Sequence, residues 1–251
     1  MLLQAALDEL RGSILRDVTL KKTGPGDQYW SDEALVMYID EAQRRFARRT
    51  FCLRDDYNAD VTQFTITATV DRYVLHPKIV FVQSARVAGD PSDLTRVPHS
   101  VTFLPSDNSA DVWTAAVIDK PSHPIAFSTD EGIDLENDHA PVLKLYPIPD
   151  SETDGKTVNL RVSRLPLLDL TLDTLQESLE IPVDYQLDML EWAAWRALRN
   201  WDIDAEDRAK AKQHRDRFDE AVKECRRDVW RKIFQPIKWR FGESAFSYTR
   251  R

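Results

Sequence analysis

The residues of this 251-residue chain whose types could carry chemistry are five histidines, two cysteines and one acidic stretch. The histidines are His76, His99, His123, His139 and His214. They form no H-E-x-x-H motif and no close pair, so a metal site built on them is not expected. His76 and His123 each precede a proline, which marks a strand or turn boundary. Cys52 and Cys225 each stand alone, without a C-x-x-C partner, among helix-patterned residues. Both read as small buried hydrophobes. Residues 130–138, DEGIDLEND, are rich in carboxylates, but a calcium loop needs its glycine later than Gly132. A solvated acidic loop fits better. A glycosidase needs two carboxylates at a defined separation, and with 42 acids the sequence singles out no such pair.

Glycine is scarce, at seven residues. Loops that cradle phosphate depend on it, because only glycine reaches positive φ without penalty. No P-loop, dinucleotide-binding or nucleophile-elbow motif occurs. These absences argue against nucleotide-binding and hydrolase folds, and the chain is expected to be no enzyme and to use no cofactor. No apolar run is long enough to span a bilayer, and the first residues, MLLQAALDELRG, lack the basic start of a signal peptide. Synthesis in a cytoplasm, with no membrane partner, is expected.

Charge is unevenly spread. The net charge is -8, yet residues 208–251 hold fourteen Lys/Arg against six Asp/Glu. Such asymmetry marks a segment that meets an acidic partner or a solvated basic face. The last residues, PIKWRFGESAFSYTRR, place Trp239, Phe241, Phe246 and Tyr248 among Lys238, Arg240, Arg250 and Arg251. The segment is too short to form a core. Aromatic and arginine side chains dominate binding when they fill a partner's pockets. Phe234, Trp239, Arg240, Phe241, Phe246, Tyr248 and Arg250 are therefore the candidate partner-binding residues. Basic residues interleaved with aromatics also suit single-stranded nucleic acid, but the strongly acidic remainder repels phosphate.

The elements that would carry this arm read as helix, strand, helix. Leu3, Leu7, Leu10 and Ile14 form one stripe at helical spacing. Gly24-Pro25-Gly26 breaks the pattern. Ser31 is the expected N-cap of a second helix, with Asp32 and Glu33 in its first turn. Leu35, Tyr38, Ile39, Ala42 and Phe46 share a face. Arg44, Arg45, Arg48 and Arg49 crowd its C-terminal end, where they either complement the helix dipole or grip phosphate.

Residues 60–165 change to period two. Phe64, Ile66 and Ala68 alternate with threonines, and Val158, Leu160 and Val162 with polar residues. Shorter apolar runs lie at Tyr73–Leu75, Ile79–Val82, Val101–Leu104, Val112–Ile118, Pro124–Phe127 and Val142–Tyr146. Leu165–Leu175 alternates too, as an extended connection or a last edge strand. After Ile181-Pro182, residues Leu187, Leu190, Ala194, Ala197 and Trp201 predict a helical seam. Asp204 is the expected N-cap of a long final helix lined by Phe218, Val222, Cys225, Val229 and Ile233 and ended by Pro236.

The fold class expected is α+β: a helical bundle from both chain ends, an inserted antiparallel β-sandwich or barrel-like domain, and an extended C-terminal arm. The expected boundaries are 1–58 and 168–235 for the bundle, 59–167 for the insertion and 236–251 for the arm.

Two stretches resemble the head-to-tail adaptor (connector) proteins beneath the portal of short-tailed phages. The first is Trp30-Ser31-Asp32, Leu35, Tyr38-Ile39-Asp40-Glu41-Ala42-Gln43 and Phe46. The second runs from Ile181-Pro182 and Tyr185 through Leu190, Trp192-Ala193, Ala197-Leu198, Asp202, Asp204, Asp207, Ala211 and His214 to Phe218. The resemblance implies a helical bundle with a β insertion between its second and third helices. It also implies a virion location and a homo-oligomeric ring of twelve copies bound to the portal protein. The C-terminal arm would run along or into the portal, and downstream tail or nozzle proteins would dock on the ring. DNA would pass through the lumen without specific binding. Two other readings stay open: a virion-associated cell-wall hydrolase, and a glycan-binding tail protein using Trp113 and Tyr73 as stacking surfaces. Another place in the neck or tail would keep the assembly role.

Overall fold

The structure, a computed structural model, describes residues 1–16, 30–97, 121–129, 133–134, 140–199 and 205–233. It is an α+β protein. Helix α1 (Leu3–Glu9) runs into a π-helical turn, Leu10–Leu15. Leu3, Leu7 and Leu10 are buried, as their spacing requires. Arg11 is buried with them and donates to the Trp30 carbonyl at 2.8 Å and to Asp32, which fastens this element to the start of α2 (Asp32–Thr50). Ser31 caps α2, its Oγ accepting from Ala34 N at 3.2 Å. Leu35, Ile39, Ala42 and Phe46 are fully buried along one face.

Among the described residues the β region holds nine short strands in two sheets. In the first, β9 (Thr157–Arg164) is central. β4 (Ile79–Val87) lies along one edge, and β1 (Arg54–Asp55) and β2 (Gln63–Thr65) pair with successive parts of the other. Val158, Leu160 and Val162 point inward, the expected alternation. On β4 the buried residues are Ile79, Val82, Ala85 and Val87, because two register irregularities interrupt the period of two.

The second sheet orders β3 (Arg72–Val74), β8 (Ala140–Tyr146), β6 (Ala126–Ser128) and β5 (Thr95–Arg96), with β7 (Ile133–Asp134) also on β8. Its pairs are antiparallel apart from β5 with β6, which is parallel. Tyr73, Phe127, Leu143 and Leu145 from this sheet share one hydrophobic cluster with Val82, Ala85, Val158, Leu160 and Val162 from the first. Residues 59–62, within the span expected as strand, form the short helix α3 (Ala59–Thr62), capped by Asn58.

A second cluster gathers helices from both ends of the chain: α1, α2, α4 (Gln186–Arg199) and α5 (Ala205–Ile233). Phe46, Trp192 and Phe218 meet at its centre. The Phe218 ring lies edge-on to Phe46 at 5.9 Å and tilted on Trp192 at 5.1 Å. The expected seam of α4 needs correction. Leu187 is 56% exposed, and the buried stripe is Gln186, Met189, Leu190, Ala193, Ala194 and Ala197. α4 packs against both α2 and α5, so its buried face is wide and the apolar Leu187 falls just outside it.

Leu165–Leu175 is not an edge strand. Past Leu165, whose N–H donates to the Lys78 carbonyl at 2.8 Å, several of the segment's N–H groups find side chains instead of a ladder. Leu167 N and Leu168 N donate to Glu180 Oε1 at 2.6 and 3.1 Å, and Leu170 N donates to Asp40 at 3.1 Å. Its leucines pack on the helical cluster, apart from Leu167, which packs on the β cluster. At the same junction Arg164, the last residue of β9, donates to Asp55 at 2.7 Å and to Glu180 at 2.5 Å. The predicted strands Val101–Leu104 and Val112–Ile118, the turn at Gly24–Gly26 and the Asp204 cap lie outside the described residues, as do Trp113, Trp201, Pro236 and the side chain of Ile233.

Candidate partner-binding surfaces

All seven candidate arm residues, Phe234, Trp239, Arg240, Phe241, Phe246, Tyr248 and Arg250, lie outside the described residues. The structure does describe the end of α5 that leads to them. One face of this helix is buried through Phe218, Ala221, Val222 and Cys225. The opposite face presents Lys223, Arg226, Arg227, Trp230 and Arg231 around a shallow recess of about 460 Å³, with Trp230 half exposed. An indole amid guanidinium groups supplies the large flat area and fixed donors that anchor an interface. The basic, aromatic character read from the C-terminal segment therefore begins before it.

A second basic surface assembles from three helices. Arg44, Arg45, Arg48 and Arg49 of α2 line one recess with Glu41 and Leu165. Glu41 and Arg45 also line its neighbour, of about 300 Å³, together with Trp192, Trp195, Arg196 and Arg199 of α4 and Arg215 of α5. The sequence reading singled out the α2 arginines, and the structure sorts them. Arg44 pairs with Asp40 at 2.8 Å and Asp169 at 3.1 Å, and Arg49 pairs with Asp219. Arg45 lies 4.0 Å over the Trp192 ring. Arg199 and Arg215 both lie over Trp195, at 5.3 and 5.6 Å. Among the described residues, Arg45, Arg48, Arg199 and Arg215 have no carboxylate partner. The cluster was hidden because its members lie about 150 residues apart in the chain.

The histidines divide among separate places. His76 Nδ1 accepts from Lys78 N at 3.1 Å, and burial, then the Lys78 and Arg164 charges, hold its pKa below the usual histidine value. His123 Nε2 meets Asp90 at 2.6 Å, and His214 pairs with Glu191 on α4. His99 and His139 lie outside the described residues. Among the described residues, no three His, Cys, Asp or Glu side chains gather as a metal would require. The two cysteines, each without a partner in sequence, come together in the fold: the neighbouring Cys225 lowers the Cys52 pKa, and Cys52, then burial, raises that of Cys225. Sequence spacing carried no sign of this pair, whose members are 173 positions apart.

The glycan reading loses half its platform. Tyr73 is buried, stacks on Phe64 at 4.6 Å and donates its hydroxyl to the Val70 carbonyl at 2.8 Å. It serves the β core, not a sugar. Trp113 lies outside the described residues.

These basic, aromatic surfaces and the merging of both chain ends in one core suit a protein built to hold other chains. Comparison with protein families decides the class: the model described as SU10 adaptor protein matches residues 2–239. The chain belongs to the SU10 adaptor protein family. The match spans both helical regions and the β region between them, well beyond the two stretches that carried the sequence resemblance. The family is described as an adaptor, not as an enzyme. No curated protein matches the chain. No helix among the described residues is long and apolar enough to cross a membrane.

Proposed function

We propose that the chain is a head-to-tail adaptor subunit of a tailed-phage virion, forming a ring of twelve copies beneath the portal. The ring extends the DNA channel and presents a docking surface for downstream tail or nozzle proteins. The observation that carries this reading is the adaptor-family match over residues 2–239. In this reading residues 1–58 and 168–235 are one helical bundle, 59–167 an inserted β-sandwich domain and 236–251 the portal-binding arm.

The arm is the working part. Ordering a loose segment costs roughly 1–2 kcal/mol per residue in backbone entropy, so sixteen residues need several strong anchors. Trp239, Phe241, Phe246 and Tyr248, with Phe234, Arg240 and Arg250, are assigned that role. The half-exposed Trp230 and its basic neighbours extend the same surface onto α5. Residues 1–207 carry a net charge of about -16. A wall of that sign repels phosphate and suits a lumen through which DNA slides.

Deletion of residues 236–251 tests the role of the arm. Capture of the truncated chain by purified portal rings should fall below detection while its circular dichroism spectrum keeps the full chain's helical signal. Capture at the full chain's level would refute the assignment.

A further inference from the structure

We propose that α4 and the turn leading into it carry both halves of a head-to-tail contact between copies of this chain. The acidic, apolar entry to the helix in one copy (Val183, Asp184, Leu187, Asp188) seats in the arginine–tryptophan recess at the C-terminal end of α4 in the next. This rests on the ring reading and names its contact.

The recess calls for a negatively charged acceptor. Arg45, Arg199 and Arg215 stack on Trp192 and Trp195 and have no carboxylate partner among the described residues. Among the described residues the one carboxylate in its lining, Glu41, is held by Arg196 at 2.9 Å. Trp192, only 3% exposed, also lines the recess beneath Arg45. Stacked guanidinium groups are already planar and fixed, with N–H edges available for a bidentate acceptor.

A protein carboxylate fits better than duplex DNA. A recess of about 300 Å³ admits a few side chains. A duplex spreads its charge along its axis, one negative charge per ~1.7 Å, and needs an extended basic track. This chain is acidic overall, at -8.

The opposite end of α4 presents a matching surface. Val183 is 77% and Leu187 56% exposed, and Asp184 and Asp188 lie exposed beside them. Neither aspartate has an ion-pair partner among the described residues. Burial, then the like charges of Glu191 and Glu224, push the Asp188 carboxyl above its usual range, and a neighbour's cation would relieve that crowding. The two surfaces cannot satisfy each other within one copy. Asp188 and Arg199 are eleven residues apart on one helix, about 16 Å at 1.5 Å per residue. Different surfaces that meet between copies make a heterologous contact, which closes into a ring or runs on as a filament.

Photo-crosslinking tests the contact. The full chain carries p-benzoylphenylalanine at Leu187 and is irradiated alone at high concentration and bound to portal rings. Crosslinks between chains should map to the peptides holding Trp195, Arg199 or Arg215. Arg199→Glu with Arg215→Glu should cut their yield roughly tenfold or more. Mixing that variant with a chain carrying Asp184→Lys and Asp188→Lys should restore it, with circular dichroism confirming that both fold. Crosslinks that map elsewhere, ignore the reversals or fail to form in both settings overturn the contact. If the reversals instead abolish binding of a fluorescent 30-base-pair duplex and leave the crosslinks unchanged, the recess is a phosphate site and the proposal fails. Portal capture is scored in parallel: capture without these crosslinks defeats this contact alone, and absence of capture defeats the adaptor reading.

Discussion

Replacing Arg164 with alanine should destabilise the protein by about 3 kcal/mol at pH 7. Arg164 ends β9 and binds Asp55 of β1 and Glu180 of the connection to α4, so it ties the β region to the helical core. Its side chain is 15% exposed, that of Asp55 9% and that of Glu180 22%. Removing one partner of a buried ion pair costs roughly 3–5 kcal/mol, because the other charge is left uncompensated. The lower end applies here. Asp55 still accepts from Tyr57 N and Asn58 N, each at 3.0 Å, and Glu180 still accepts from Leu167 N and Leu168 N.

The loss should depend on pH. Burial pushes the Asp55 carboxyl up, but the Asn58 and Tyr57 N–H groups and Arg164 outweigh it, so its folded pKa lies below the usual range. Its contribution to stability is therefore complete above the unfolded pKa of about 3.9 and lost as pH falls through the folded value. In the variant Arg164 no longer opposes burial, so the Asp55 carboxylate loses part of what holds its pKa down. The gap between wild type and variant should stay full from pH 7 down to the unfolded pKa of about 3.9 and narrow only below it, as Asp55 protonates. Urea unfolding followed by fluorescence and circular dichroism measures it. Arg164→Met with Asp55→Asn and Glu180→Gln should recover more than half the loss. A gap below about 1 kcal/mol at pH 7, or one that stays as large well below the unfolded carboxylate pKa of about 3.9, would refute the reasoning.

Three further outcomes follow from the helical core. Phe218→Ala, at a fully buried ring between Phe46 and Trp192, should cost about 3–5 kcal/mol by urea unfolding. Leu187→Lys should change stability by less than about 0.5 kcal/mol, whereas Leu190→Lys, at a fully buried site, should abolish folding by circular dichroism. Ser31→Ala removes the cap on Ala34 N and should lower stability by about 1 kcal/mol in the same urea assay.

Local periodicity was legible along single elements whose apolar residues fall on one stripe or one face. The Leu3–Leu7–Leu10 stripe, the Ser31 cap, the Leu35–Phe46 face and the Val158–Leu160–Val162 alternation all appear as read. Reading failed where burial came from two sides or from distant chain. Leu187 was misjudged because α4 packs on two helices and its apolar residues outnumber one stripe. Leu165–Leu175 imitates a strand, yet Glu180 and Asp40 satisfy its N–H groups. Period two shows alternate burial, not a ladder partner. The Cys52–Cys225 contact and the recess of Arg45, Arg199 and Arg215 arise only when distant segments fold together. The acidic–basic division of the chain was plain from composition, and it still carries the reading of the arm.

Imaging neck assemblies by electron microscopy is the most direct test of the adaptor role. The chain should appear as a closed ring of copies against the portal, each sending its last sixteen residues into portal density. Copies confined to the distal tail, or C-terminal segments folded onto their own subunits with no ring present, would contradict it.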